Sequence, residues 1–122
     1  MSRVIHFEIP AADPERAAAF YQKAFGWQIQ KWPGPMEYWM VNTGADGCPG
    51  INGGLLKKNG QVTGTTNTIG VESVDKAVDA VKAAGGKLMM PKTAISTVGY
   101  FAYLEDTEGN LFGVMQSDKD AR

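Results

Sequence analysis

The sequence predicts an α+β chain built from two consecutive βαβββ modules, and three observations carry that reading. Two short segments each combine an N-capping residue, an apolar stripe of helical period and a glycine stop. Each is preceded by one alternating strand pattern and followed by three more. Finally, an offset of sixty lays the first segment on the second: Asp13 on Ser73, Ala17 on Ala77, Ala24 on Ala84 and Gly26 on Gly86. A tandem copy is expected to keep caps, stripes and stops in register.

The chain begins with an alternating run, Val4 to Pro10. Ile5, Phe7 and Ile9 fall on one face, His6 and Glu8 on the other, because successive strand side chains point to opposite sides. The apolar face suits a helix. The only histidine of the chain therefore shares the second face with a carboxylate. Asp13 is a good N-cap and Pro14 a good first helical residue, where its missing N–H costs nothing. A helix is expected from Pro14 to about Phe25, with Ala17, Phe20, Tyr21 and Ala24 as its stripe and Gly26 as its left-handed stop.

Three strands should follow: Trp27 to Trp32, Glu37 to Asn42 after the Pro33-Gly34-Pro35 turn, and Ile51 to Lys57, interrupted by Gly53-Gly54. This first module covers about residues 1–57. A polar linker, about 58–64, leads to a second module of about 65–116. There Thr66 to Val71 is a strand, Ser73 caps a helix striped by Val74, Ala77, Val78 and Val81, and strands are expected near Lys87 to Met90, Gly99 to Leu104 and Leu111 to Gln116. The tail, 117–122, is polar and expected to fray.

Composition narrows the function. Twelve Lys and Arg against thirteen acids, with net charge -1, give no basic field for nucleic acid or an anionic membrane. No apolar run approaches the roughly 20 residues of a membrane helix, and the chain enters a strand without a signal-type segment, so a cytoplasmic protein is expected. The single cysteine, Cys48, excludes an internal disulfide framework. No second histidine exists to activate Ser96, Thr66 or Cys48, which leaves a triad-type hydrolase without support.

His6 and Glu8 have two readings. Either they are a polar pair satisfying each other and nearby backbone, or they bind a ligand, with a role as general acid or base. Alternation divides the aromatic strands into Tyr38 with Met40 against Trp39 with Val41, and Tyr100 with Ala102 against Phe101 with Tyr103, without deciding which set faces a helix. We assign Tyr38, Met40 and Tyr100 to the ligand side, together with Asn52, Thr66 and Thr68.

The ordered residues resemble the vicinal oxygen chelate superfamily of glyoxalases, bleomycin-resistance proteins, methylmalonyl-CoA epimerases and extradiol dioxygenases. The likeness is carried by His6 with Asp13-Pro14-Glu15-Arg16-Ala17, by Phe20-Tyr21 through Phe25-Gly26-Trp27, by Val74-Asp75 and Gly85-Gly86, and by Asp106-Thr107-Glu108-Gly109-Asn110-Leu111-Phe112-Gly113. The resemblance implies two half-cups, and in metal-using members an ion held by two ligands from each. Those positions fall at His6, near Gly53, at Thr66 and at Gly113. Glycine supplies no donor and a threonine hydroxyl is a poor one, so the resemblance implies a vestigial metal site and no cofactor. The expectation is a small-organic-molecule binding protein of the bleomycin-resistance kind, probing its ligand with His6 and Glu8, and homodimeric by analogy. The alternatives are a glyoxalase-like lyase or isomerase using His6 and Glu8, with a weak or intersubunit metal, and a dimeric interaction module. A ferredoxin-like sandwich is the competing fold.

Overall fold

A computed structural model describes residues 2–60 and 62–122. Eight strands and two helices follow in the order β1 (Arg3–Ala11), α1 (Pro14–Phe25), β2 (Gln28–Lys31), β3 (Tyr38–Asn42), β4 (Gly53–Lys57), β5 (Thr66–Gly70), α2 (Val74–Ala83), β6 (Lys87–Ile95), β7 (Gly99–Glu105) and β8 (Leu111–Ser117). Each helix is followed by three strands, which is the βαβββ pattern twice and not a ferredoxin-like sandwich. The chain divides into two compact units, His6–Thr66 and Asn67–Arg122, the latter with the N-terminal residues through Ile5.

In the unit His6–Thr66 the strand order is β2-β3-β4-β1, antiparallel except for β1 beside β4. Asp13 accepts from the Arg16 amide at 3.2 Å, and Gly26, at φ +72°, closes α1 with its N–H on the Gln22 carbonyl. The buried helical residues are Pro14 and Ala18. Ala17 and Tyr21 pack beside them against Trp39, Val41 and Leu55. The stripe is therefore rotated from the expected one: Phe20 and Phe25 are 59% and 65% exposed. Both rings instead join a cluster in which Tyr21 stacks on Trp27 at 4.9 Å.

The unit Asn67–Arg122 has the order β5-β8-β7-β6, with β5 and β8 parallel. Ser73 caps α2, and Gln116 of β8 fills its first turn by accepting from the Val74 amide at 2.9 Å. Val74, Ala102, Leu104 and Val114 form the core with Ala77, Val78 and Val81 packed on it. Strand β6 runs past the expected end at Met90 to Ile95. It is the outer strand of this unit, and it accommodates Pro91, which has no N–H to give a ladder, inside the register shift between Met90 and Thr93. The tail does not fray. Ala121 is 2% exposed and its carbonyl accepts from the Thr97 amide at 2.9 Å, while the Asp118 amide donates to Val98.

The repeat keeps its pairings but not one spacing. Glu8 lies opposite Gly54 in the first unit as Thr68 lies opposite Gly113 in the second, and Ile9 opposite Leu55 as Ile69 opposite Val114. The offset is sixty on the opening strand and fifty-nine on the closing one. It changes at the helix stop, because the left-handed glycine matching Gly26 is Gly85, at φ +101°, and not Gly86.

Candidate functional site

In the His6–Thr66 unit the register decides the question that alternation left open. Trp39 and Val41 belong to the core under α1, so their neighbours Tyr38 and Met40 lie on the opposite face. Parallel partners share a side, and β1 therefore puts Glu8 on that face with Gly54, and His6 two residues before it. Trp39 is fixed by its indole N–H, which donates to Glu15 Oε1 at 2.6 Å from the first turn of α1.

On the other face, Tyr38 Oη and His6 Nε2 are 2.6 Å apart, with the two rings tilted by only 14°. Glycine at 54 makes this possible. A Cβ there would overlap the Tyr38 hydroxyl and ring, so the phenol lies across the bare backbone of β4 to reach the imidazole. Burial lowers the His6 pKa below its ordinary 6.5, opposed by the nearby charge of Glu8. The imidazole is thus neutral at pH 7, and its Nε2 either accepts the phenolic hydrogen or donates to the phenol oxygen, according to its tautomer. A neutral imidazole, a phenol and a half-buried carboxylate are a set able to exchange hydrogen bonds, and protons, with a polar group on a ligand.

The other expected residues divide. Met40 is 45% exposed on the His6 face. Asn52 is a loop clamp: its Oδ1 accepts from the Thr43 amide at 2.9 Å. Thr66 is buried, and its Oγ1 has no hydrogen-bond partner, which marks a hydroxyl with unused capacity. Gly53, near which the resemblance puts a metal position, pairs with Phe7 and lies on the helix side; its neighbour Gly54 is the one on the histidine face. The cause is strand phase, since one residue inverts the face.

In the Asn67–Arg122 unit Thr68, buried, is opposite Gly113, which is opposite Tyr103. Tyr100 is a correction. It packs on the core beneath α2 and carries Lys92 over its ring at 4.7 Å, with Lys92 held by Asp75 at 3.1 Å. The aromatic residues on the Thr68 side are Tyr103 and Phe101, edge to face at 5.3 Å. The signal that finds them is the partner strand β8, where Val114 stands opposite Ala102 on the α2 side and Gly113, with no side chain, stands opposite Tyr103.

The ion of the superfamily is poorly matched by these residues. Gly54 is covered by Tyr38, a side chain at Gly113 would approach Thr68 Oγ1 at 3.3 Å, and among the described residues no three His, Cys, Asp or Glu side chains converge. His6 and a threonine do not make the usual donor set.

Two βαβββ units with this strand order are the fold of the vicinal oxygen chelate class. Residues 3–44 match the family model "Bleomycin resistance protein-like N-terminal". A glyoxylase-like domain-containing protein of Didymella fabae is 32% identical over 113 residues, covering 88% of either chain. The chain therefore belongs to the glyoxalase and bleomycin-resistance family of that superfamily. CFP32 of Mycobacterium bovis is 28% identical over 92% of this chain, but the match spans only 44% of CFP32, less than half of its length. Among solved structures, a methylmalonyl-CoA epimerase in complex with methylmalonyl-CoA and NH4+ superposes with TM-score 0.75 over 99% of this chain and 98% of its own, at 16% identity. A Bacillus halodurans protein gives 0.73 over 99% and 98%, at 14%. At those identities the likeness is one of fold alone. Among the described residues no helix is long and apolar enough to cross a membrane.

Proposed function

We propose that this protein binds a small organic molecule on the face carrying His6, Glu8, Tyr38 and Met40, without the divalent ion used elsewhere in its superfamily. The observation that carries the reading is Tyr38 lying across Gly54 onto His6: the histidine is engaged by a phenol, and the neighbouring strand offers backbone where an ion would need a donor. Relatives named for bleomycin resistance and glyoxylase chemistry support a small ligand. Thr66 and Thr68 are added as hydroxyl contacts, a cytoplasmic location as the setting, and a homodimer as the assembly, consistent with the exposed rings of Phe20 and Phe25.

A catalytic reading has one specific observation behind it. A neutral imidazole 2.6 Å from a phenol, with Glu8 nearby, is an acid–base pair suited to moving a proton beside a carbonyl, as a glyoxalase-like isomerase or lyase requires.

Untagged protein analysed by native mass spectrometry and elemental analysis tests the main proposal. An organic mass retained by the wild type and lost in Tyr38→Ala is the expected result. A stoichiometric divalent ion that disappears in His6→Ala would overturn it, and light scattering reads the dimer.

A further inference from the structure

The strand registers also sort the charges. In the His6–Thr66 unit Lys31 is opposite Trp39 and Lys57 opposite Ala11, which puts both lysines on the helix side, and Lys31 Nζ sits 5.5 Å from the Trp39 ring centre. The strand residues opposite the helix are otherwise neutral: glutamines from β2, Tyr38 and Met40 from β3, Leu56 from β4. Glu8 is the one carboxylate that these strands present there, two residues from the imidazole of His6. The Asn67–Arg122 unit, taken by itself, keeps one strand lysine on the helix side and matches the other with an acid on the Thr68 side. Lys92 is on the helix side with Asp75, and Lys87 stands opposite Glu105 across the strand pair. On the Thr68 side the charge of Lys87 is matched by Glu105, and on the His6 face the strands carry no lysine or arginine.

We infer that the ligand received at the His6–Tyr38 face is an uncharged or cationic molecule with a flat apolar body, and that Glu8 is the residue that turns anions away. The inference rests on the binding role proposed above and specifies its substrate class. Tyr38 lies flat over Gly54, so its ring can stack on a planar group, and Met40 adds soft, polarizable surface beside it. A carboxylate partly withdrawn from water repels a carboxylate, phosphate or coenzyme A thioester more strongly than a solvated one would. The methylmalonyl-CoA of the structurally similar epimerase is thus a poor model for what binds here.

Three dansyl probes of matched ring system test this: dansylamide, which is neutral, dansylcadaverine, which is cationic, and dansylglycine, which is anionic. Calorimetric titration at neutral pH and low salt should rank dansylcadaverine at or above dansylamide, with dansylglycine at least about tenfold weaker. In Glu8→Gln the ratio of dansylglycine to dansylamide affinity should close to within about threefold, whatever happens to the affinity of either probe taken alone. Tyr38→Ala, checked for folding by circular dichroism, should weaken all three. Dansylglycine binding as well as dansylamide, or a ranking unchanged in Glu8→Gln, overturns the charge selection and leaves small-molecule binding standing. Failure of every probe to bind, or indifference of dansylamide to Tyr38→Ala, overturns the binding role at this face and the selection with it.

Discussion

Two adjacent glycines, 53 and 54, should respond to alanine in different ways, and the contrast tests the geometry around His6. At Gly54 the atoms that an added Cβ meets are the hydroxyl, Cζ and Cε2 of Tyr38, the far end of a side chain that can swing outward. Gly54→Ala should therefore displace the phenol and spare the backbone. The loss is one hydrogen bond to His6, about 1 kcal/mol, with a similar amount for exposing part of the ring. At Gly53 the nearest atom is the Phe7 carbonyl oxygen, on the strand that β4 pairs with, and the Phe7 ring lies just beyond it. The oxygen cannot move away without opening the β1–β4 ladder, and the ring must also turn, so Gly53→Ala should cost about 3 kcal/mol or more. Urea denaturation gives both stabilities. Because His6 is the only histidine, its imidazole signal in an NMR titration is unambiguous and gives the second readout. In Gly54→Ala the His6 pKa should move up toward 6.5 as Tyr38 withdraws and water enters. An unchanged titration in Gly54→Ala, or a loss of stability as large as that of Gly53→Ala, would refute the reasoning.

Other expectations follow from single contacts. His6 in the folded chain has a pKa below 6.5, so the unfolded chain binds more protons in that range; stability should be full above 6.5, fall as pH drops from 6.5 to the native value, and level off beneath it, as denaturation across pH will show. Glu8→Gln removes the charge that raises the His6 pKa and should push its NMR midpoint lower still. Trp39→Phe forfeits the bond to Glu15 and part of a buried ring, a destabilisation of about 2 kcal/mol by urea titration. Truncation after Ser117 removes buried Ala121 and its bond to Thr97, and should lower stability by roughly 1–2 kcal/mol on the same assay.

Both helices were legible because caps are chemical signals of fixed position: Asp13 with Pro14 and Ser73 each hold the amide of the residue three places on. Strand existence was legible from alternation as well. What alternation withholds is phase. Tyr38-Trp39-Met40-Val41 offers two plausible buried faces, and Trp39 goes inward because Glu15 waits there for its N–H. In Tyr100 to Leu104 the half-buried Tyr100 lies on the α2 side and the buried Tyr103 on the opposite face, a choice made by packing under α2 that lies far away in sequence. Gly53 and Gly54 carry no side-chain pattern at all, so only the ladder to β1 reveals which one faces His6. The docked tail carries no sequence signal, since polar residues surround the one small residue, Ala121, that is buried.

The change of spacing at the left-handed glycine bears on how the halves can be compared. Helix termini and turns absorb a lost residue at small cost, whereas inside a strand the same loss would exchange inner for outer side chains along its remaining length. An alignment of the two halves that carries a single shift throughout therefore equates a residue under the helix with one on the open side in the final strand. Trait transfer between the copies, from Gly54 to Gly113 or from Glu8 to Thr68, is sound when it follows hydrogen-bonded partners and unsound when it follows the count.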